Sequence, residues 1–267
     1  AKQGFSGYVS EVLILNFGSF ENVIKSIAKI QHKQIIGKTS KIFETSIIII
    51  DPIDSNRNLA AAISEENIGK FILACRSFQN KPALHFFKPK KIRSAKNNWE
   101  NILVVKFNFK TRSPDIIWGQ IKRATTSLVT QLELGGFNVL RSKSYSDEQN
   151  EAYLFFLLES TKIPKKHSKS GPEFFRESDC NSFILKNISK TELMWIGDDK
   201  KIISLEKRKY NDVVKFMTEL LKNNLQTGIP KGLQSDFKKG FRVFIGSKKL
   251  SKSIKEAISD LISTDDT

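Results

Sequence analysis

Two carboxylates, an arginine and an asparagine lie close together at residues 50–62 and form the most chemically informative motif of the sequence. Asp51 and Asp54 stand in a turn that contains a proline, and Arg57 and Asn58 follow directly before an alanine-rich segment. A guanidinium held by one of the two carboxylates would make a rigid reader of a phosphate or a base. A turn closed by its own salt bridge explains the same residues equally well, so both interpretations stay open.

Tyr8 is the second candidate for contact with a ligand. It follows a Gly-Phe-Ser-Gly string at residues 4–7, and residues 8–17 have the apolar pattern of a helix. Small residues at a helix start allow close approach of the backbone to another element. The tyrosine ring can stack on a base or fill the core, and physical reasoning alone favours the core.

Lysine and arginine are concentrated in three further places. Residues 81–96 contain six of them and no acid, residues 162–169 contain four lysines, and Lys122 and Arg123 are adjacent on a predicted long helix. Clustered cations follow a phosphate backbone through counterion release and carry little sequence information. Solvated loops and a solvated helix face are the ordinary alternative. The candidate phosphate contacts are Lys88, Lys90, Lys91, Arg93, Lys122, Arg123, Lys165 and Lys166.

The overall charge agrees with such a role. The chain has 44 Lys plus Arg against 28 Asp plus Glu, which gives a formal net charge of +16 and a sequence pI near 9.7. An excess of this size calls for a polyanionic partner, and nucleic acid is the usual one. No apolar run approaches the length of about 20 residues that crosses a bilayer, and no signal peptide is visible. The two cysteines, Cys75 and Cys180, form no CxxC pair, and we interpret them as buried, reduced thiols of a cytoplasmic protein.

Residues that would catalyse a reaction are missing from the sequence. It contains no Ser/His/Asp set, no cluster of metal ligands and no P-loop. The acidic pairs Asp198-Asp199 and Asp265-Asp266 are adjacent, so on a strand they would point to opposite faces. A Lys-Gly-Phe-Arg-Val-Phe string at residues 239–244 resembles the RNA-stacking strand of an RNA-recognition motif, but a strand phenylalanine more often belongs to the core.

Two different kinds of structure must position these residues. The first third of the chain has helical periodicity, with Ser19 and Ser64 predicted as N-caps and residues 42–50 predicted as a strand or an extended segment. The lysine-rich stretch at 81–96 breaks that pattern. Beyond it strands and helices alternate, including a long helix from Ser113 to the glycines at 135–136 and a basic loop at 162–171. The sequence therefore predicts an α+β protein, with a helical domain at residues 1–88 and a ferredoxin-like antiparallel α+β domain at residues 89–267.

Several strings together resemble one family across essentially the whole chain. They are GFSGYVSEVLILNFGSF, IDPIDSNRNLAAAIS, WGQIKR with GGFNVLR after it, KKHSKSGP and IPKGL, in that order. The set is similar to that of archaeal class I CCA-adding tRNA nucleotidyltransferases. The first two strings are long enough to be fairly specific, and the later ones support them.

The resemblance implies an enzyme that adds C, C and A to the tRNA 3′ end from CTP and ATP without a nucleic-acid template. Its chemistry is two-metal phosphoryl transfer with Mg²⁺, whose carboxylate ligands belong to a Gly-Ser motif followed by Asp-x-Asp in a catalytic head. Gly18-Ser19 is followed by Phe-Glu-Asn and Gly246-Ser247 by Lys-Lys-Leu, so neither matches that motif. The chain also begins without Met, so we expect the body and tail of the enzyme, inactive alone, with Mg²⁺ bound by the missing head.

The resemblance also implies roles for the candidate residues. The helical domain, of the kind shared with poly(A) polymerases, would close one side of the nucleotide pocket, and the rest would hold the acceptor stem and T arm of tRNA. Arg57 would help to choose C or A near the incoming base and the primer phosphate, with Asn58 and Asp54 holding it in place. Tyr8 would be a wall of the pocket. The basic residues are assigned to tRNA by charge, and homodimer formation stays open.

Two other functions also stay open. The chain could be a stand-alone RNA-binding module without an enzymatic partner. It could also be a protein related to poly(A) polymerases that acts on single-stranded RNA 3′ ends. A preference for unstructured RNA over a tRNA-shaped duplex would indicate the latter.

Overall fold

The computed structural model describes residues 4–88, 98–246 and 250–262. These residues fall into two compact units: residues 4–88 belong to the first, and residues 98–246 and 250–262 belong to the second. Three of the candidate phosphate contacts, Lys90, Lys91 and Arg93, lie outside the described residues. None of the helices in the described ranges is both long and apolar enough to span a membrane.

The first unit is mainly helical. Its elements are α1 (Gly7–Phe17), α2 (Phe20–Ala28), β1 (Gln34–Ile36), β2 (Ile47–Ile49), α3 (Glu65–Asn80) and two short 3-10 helices, Leu59–Ala62 and Leu84–Phe87. Ser19 and Ser64 cap α2 and α3 as predicted, because each hydroxyl accepts a hydrogen bond from a backbone N–H of the first turn. Gly18, at φ 83°, lets the chain turn sharply between α1 and α2.

A short parallel sheet lies in the core of the first unit. β2 pairs with β1 over three residues and is fully buried. Within residues 42–50, which were predicted as a strand or an extended segment, residues 47–49 form the strand, because β1 offers only three residues as partners. Residues of α1, α2 and α3, including Cys75 of α3, complete this core. Cys75 and Cys180 are both free and buried, as predicted, and burial raises the pKa of the Cys75 thiol to about 11.

The second unit is built on a four-stranded antiparallel sheet. Its main elements in chain order are β3 (Ile102–Asn108), α4 (Pro114–Leu134), β4 (Val139–Ser146), β5 (Glu151–Leu158), β6 (Lys166–Glu173), α5 (Glu177–Asn187), β7 (Thr191–Ile196), β8 (Lys201–Lys207), α6 (Val213–Asn223), α7 (Leu225–Gly228), α8 (Lys231–Lys239), β9 (Phe241–Ile245) and α9 (Lys252–Ala257). The large sheet has the order β4-β5-β3-β9. A β-α-β-β-α-β path with this strand order is the ferredoxin-like arrangement, so the predicted α+β fold is confirmed.

The two faces of the large sheet have separate cores. On one face, residues of α4, α6 and α8 form a cluster with the sheet that includes Phe107, Phe156 and Phe237. On the other face, α9 contributes to a second cluster that includes Val104 and Phe155. Alternate residues of β3 and β5 therefore enter different cores, as the period-two geometry of a strand requires.

An additional three-stranded sheet, in the order β6-β8-β7, lies between β5 and α6 in the chain. The prediction of a basic loop at residues 162–171 is wrong for its second half, because residues 166–173 form β6 and pair with β8. The lysines and serines of β6 show no apolar alternation, which is why the sequence did not indicate a strand. Polar strands rich in lysine are typical of sheet edges, where they discourage pairing with another chain.

The Gly135-Gly136 pair ends α4 as predicted, and close contacts explain both glycines. Gly136 has φ 86°, and a Cβ atom there would lie 2.4 Å from Arg208 Nη1. A Cβ atom on Gly135 would lie 2.6 Å from the ring of Phe216. Arg208 also donates to the carbonyl oxygen of Gly135 at 3.3 Å. The pair thus admits a guanidinium to the C-terminal end of α4, where positive charge is favoured.

Candidate nucleic-acid interface

The turn at residues 50–58 is organised around the buried carboxylate of Asp51. Asp51 Oδ1 accepts hydrogen bonds from the Tyr8 hydroxyl at 2.8 Å and from the backbone N–H of Ile53 at 3.0 Å. Its Oδ2 lies 3.4 Å from Arg57 Nη1, and the side chain of Asp51 is 5% exposed whereas that of Arg57 is 66% exposed. We call residues 50–58 with Tyr8 the Asp51 turn. The hydrogen bond from Tyr8 to Asp51 connects α1 to this turn, and most of the Arg57 side chain stays open to a ligand.

The hydrogen bonds of the Asp51 turn keep its carboxylate charged. The N–H of Ile53 and the Tyr8 hydroxyl, followed by Arg57, lower the pKa of Asp51 below its ordinary value, against the opposing effect of desolvation. Donation to the same carboxylate raises the pKa of Tyr8. At neutral pH a carboxylate therefore faces the guanidinium and fixes its direction, and the remaining N–H groups of Arg57 can bind phosphate or base acceptors.

Asp54 and Asn58 shape the backbone of the turn. Asp54 Oδ1 accepts a backbone N–H two residues ahead at 2.9 Å, and the carbonyl oxygen of Asp54 accepts the N–H of Arg57 at 3.0 Å. Asn58 is buried, accepts two backbone N–H groups at 3.0 Å each and donates to Thr45 Oγ1 at 2.8 Å. Asp54 thus contacts the backbone of Arg57, and Asn58 anchors the chain directly after Arg57. The carboxylate that contacts the guanidinium belongs to Asp51, one of the two alternatives that the motif allowed.

The candidate phosphate contacts that the structure describes are all exposed: Lys88, Lys122, Arg123, Lys165 and Lys166. Lys122 and Arg123 are neighbours on α4, and both face solvent. Lys166, the first residue of β6, forms an ion pair with Glu192 of β7. Exposed pairs of this kind are weak, so Glu192 reduces the attraction of Lys166 for phosphate without abolishing it.

A basic groove that the sequence analysis missed lies along one end of the large sheet. It has a volume of about 540 Å³, and its charged lining residues are Lys106, Lys110, Glu151, Lys239 and Arg242. Lys106 pairs with Glu151 at 2.5 Å, and Arg242 lies opposite Lys106 in the register of β3 and β9. Four cations against one carboxylate give the groove a surplus of positive charge. The available signal was the period-two pattern of β3 and β9, which places Lys106 and Arg242 on the sheet face opposite Phe107 and Phe241.

The string at residues 239–244 does not display its phenylalanines for stacking on RNA. Phe241 packs against the core on the side of α4, and Phe244 packs against the core on the side of α9. Both side chains are partly buried against these cores, which agrees with the ordinary interpretation of strand phenylalanines.

A metal centre would need several ligand side chains close together. Within residues 4–88, 98–246 and 250–262, no group of three or more His, Cys, Asp or Glu side chains is placed to hold a metal ion. The described residues therefore do not offer the clustered ligands of the two-metal centre that the family resemblance implies.

Comparison with known proteins gives matches in both units. The family model described as "tRNA nucleotidyltransferase, second domain" matches residues 1–88, and that described as "CCA-adding enzyme, C-terminal domain" matches residues 100–246. A CCA-adding enzyme of Saccharolobus islandicus is 35% identical over 213 residues, which are 79% of this chain and 50% of that protein. The CCA-adding enzyme of Sulfurisphaera tokodaii is 33% identical over 226 residues, which are 84% of this chain and 52% of that protein. The CCA-adding enzyme of Pyrobaculum aerophilum is 32% identical over 214 residues, which are 79% of this chain and 50% of that protein. The chain spans about half the length of the curated relatives it matches.

Proposed function

The chain belongs to the family of CCA-adding enzymes, and from that premise we propose that it forms the nucleotide- and tRNA-binding part of an enzyme that adds C, C and A to the tRNA 3′ end. The Asp51 turn carries this proposal. It presents one fixed and exposed guanidinium within the segment that matches the second domain of tRNA nucleotidyltransferases. The net charge of +16 supports a polyanionic substrate.

Arg57 would read the incoming nucleotide, CTP or ATP. A guanidinium donates hydrogen bonds and accepts none, so it can bind the acceptor atoms of C or A and the oxygen atoms of the primer phosphate. Asp51 and Tyr8 would restrict its motion, so that its donors stay directed at one place. In this proposal residues 1–88 close one side of the nucleotide pocket.

Residues 89–267 would hold the acceptor stem and T arm of the tRNA. Lys122 and Arg123 on α4, Lys165 before β6 and the basic groove offer phosphate contacts on several elements of the second unit. Contacts to phosphate position an RNA without reading its sequence. This suits an enzyme that acts on tRNAs of different sequence and recognises an RNA helix mainly by its shape.

We propose that these residues bind and orient the substrates and do not catalyse the transfer. Nucleotide transfer would depend on a catalytic head that carries the Gly-Ser and Asp-x-Asp motif. That head would hold Mg²⁺, which supplies Lewis acidity for phosphoryl transfer when bound.

The test is the transfer of labelled CMP and AMP to a tRNA that lacks its CCA end. The purified chain is expected to bind this tRNA and transfer no nucleotide, and the catalytic head of a CCA-adding relative should restore transfer when added. An Arg57→Ala chain with the same head is the matched control, because loss of transfer there assigns the restored activity to this chain. Transfer by the wild-type chain alone that disappears in Arg57→Ala would contradict the proposal.

A further inference from the structure

One side of the three-stranded sheet exposes an aromatic and aliphatic surface. The strand register places six side chains on this side, in two adjacent cross-strand rows: Ser168, Leu205 and Leu193, then Ser170, Ile203 and Trp195. Trp195 is 43% exposed and Leu193 is 61% exposed, although both are apolar strand residues. We call these six residues the Trp195 face.

The opposite side of the same sheet is covered by α5. Lys169 of β6 donates to Asn187 Oδ1 at 2.7 Å and lies 5.7 Å from the centre of the Phe183 ring, and both partners belong to α5. Ser204 of β8, on this covered side, is fully buried. One side of the sheet therefore packs against α5, and the other side leaves Trp195 open to solvent.

Lysines border the Trp195 face at both ends. Lys166 and Lys207 form the next cross-strand row at one end, and at the other Lys201 continues the alternation of β8, with Glu173 of β6 opposite it. Lys166 pairs with Glu192, and Lys201 Nζ lies 3.7 Å from Asp199 Oδ2. Surface pairs of this kind are worth little, so the ammonium groups can turn to a stronger anion.

We propose that the Trp195 face is a stacking platform for an exposed base of the bound RNA, with Lys201 and Lys207 on the neighbouring phosphates. The inference rests on the proposed function, which makes RNA the substrate of this chain. Aromatic rings on open sheet faces bind bases through their π faces with little sequence preference. The hydroxyl groups of Ser168 and Ser170 add hydrogen-bonding partners for a sugar or a base edge beside the ring.

Charge favours RNA over a second copy of this chain as the occupant. Two Trp195 faces brought together would place Lys166, Lys201 and Lys207 of one copy near the same lysines of the other, and such like-charge contacts are unfavourable. A polyanion meets the same lysines with attraction and releases their counterions. The combination of an open ring, hydroxyl groups and a lysine border therefore fits a nucleic acid best.

Binding of the full chain to a labelled minihelix of the acceptor stem and T arm tests this inference. Trp195→Ala is expected to weaken binding on the order of tenfold, whereas Trp195→Phe, which keeps an aromatic ring, should stay within about threefold of wild type. The slope of log Kd against log salt should not change, because a neutral ring releases no counterions. Leu185→Ala is the matched control, since it removes an apolar side chain of α5 that is 77% exposed, and it should bind like wild type.

Fluorescence provides a second measurement that keeps the indole in place. The chain has three tryptophans, so a Trp99→Phe/Trp118→Phe variant reports from Trp195 alone. Stacking of a base on the ring should quench its emission when the minihelix is added. Unchanged emission at saturating minihelix would overturn the inference.

The outcomes separate this inference from the proposed function. Wild-type binding with Trp195→Ala within about twofold of it would overturn the stacking role and leave the proposed function standing. Failure of the wild-type chain to bind the minihelix would overturn both. A dimer that dissociates in Trp195→Ala, measured by sedimentation, would assign the Trp195 face to a second copy and overturn the inference.

Discussion

In the Asp51 turn one guanidinium is held against a buried carboxylate, whereas on the three-stranded sheet three lysines surround an open tryptophan. Asp51 is almost completely buried and receives two further hydrogen bonds, so its position is fixed by the fold. The acids that meet the sheet lysines, Glu192 and Asp199, lie at the surface. The first arrangement sets an exposed cation against a buried carboxylate, and the second pairs its cations only with acids at the surface.

Under the proposed function, the two regions would serve two kinds of recognition within one chain. A fixed donor can discriminate between small groups such as the edges of C and A, because a misplaced acceptor loses the hydrogen bond. Mobile cations around a stacking surface attract RNA strongly but discriminate little. We therefore expect mutations in the Asp51 turn to change nucleotide transfer, and mutations around the Trp195 face to change RNA affinity.

The largest expected effect is that of Arg57→Ala on transfer in the chain combined with a catalytic head. We expect kcat/KM for CMP and AMP addition to fall by about 10²-fold, because a preorganised donor near the reacting groups is lost. Binding of the minihelix should stay near wild type. Ile53→Ala is the control on the same turn, since that side chain is 88% exposed. An equal loss of RNA binding in Arg57→Ala would remove the distinction between the two regions.

Asp51→Asn should have the next largest effect, a decrease in transfer on the order of tenfold. The amide keeps an acceptor for the Tyr8 hydroxyl and the Ile53 N–H but loses the charge that faces Arg57. Asp54→Asn makes the same chemical change at a residue that serves the backbone, and it should remain close to wild type. Equal losses in the two variants would show that Asp51 has no special role in directing the guanidinium.

The stability of the first unit should depend on pH through Asp51. Its pKa is lowered in the folded chain, so its carboxylate stabilises the fold above the ordinary Asp range, and that contribution is lost as pH falls below about 4. The difference in urea midpoint between wild type and Asp51→Asn should therefore narrow from pH 6 to pH 3. Pulsed hydrogen exchange in peptides that cover α1 and α3 measures the urea midpoint of the first unit by itself. A difference that widens on acidification would contradict the assignment.

The smallest expected effects concern the lysines beside the Trp195 face. Lys207→Ala should reduce the steepness of the salt dependence of minihelix binding by about one unit of the log–log slope. Lys166→Ala should reduce it by less, because Glu192 already neutralises part of that charge. Titrations at several salt concentrations measure both slopes. A larger change for Lys166→Ala would mean that the ion pair opens completely when RNA binds.

Much of the fold follows from local signals that the sequence displays directly. Ser19 and Ser64 cap their helices, and the proline and glycine signals bound α4 as predicted, because capping depends on neighbouring residues. The order of strands and helices after residue 98 was enough to predict the ferredoxin-like topology. β6 was missed because a polar edge strand is held by backbone pairing with β8, which leaves no apolar pattern to detect.

The candidate site was predictable in composition but not in geometry. The motif at residues 50–58 contains the side chains that meet in the Asp51 turn, yet which carboxylate faces Arg57 depends on whether the fold buries Asp51 or Asp54 beside Tyr8. The apolar run at residues 193–196 predicts a strand around Trp195, but which side of the sheet is buried depends on α5, a helix that the sequence did not predict. Whether a strand face is buried depends on the elements that pack against it, and the sequence of that strand alone does not specify them.

We propose that this chain recognises the shape of tRNA. Binding of the acceptor–T-arm minihelix and of a plain RNA duplex of equal length, each measured over a salt series, tests this proposal directly. We predict a steep salt dependence for both RNAs, from the net charge of +16, and a clear preference for the minihelix that persists at each salt concentration. Equal affinity for the two RNAs across the series would contradict the account, because charge alone would then explain the binding.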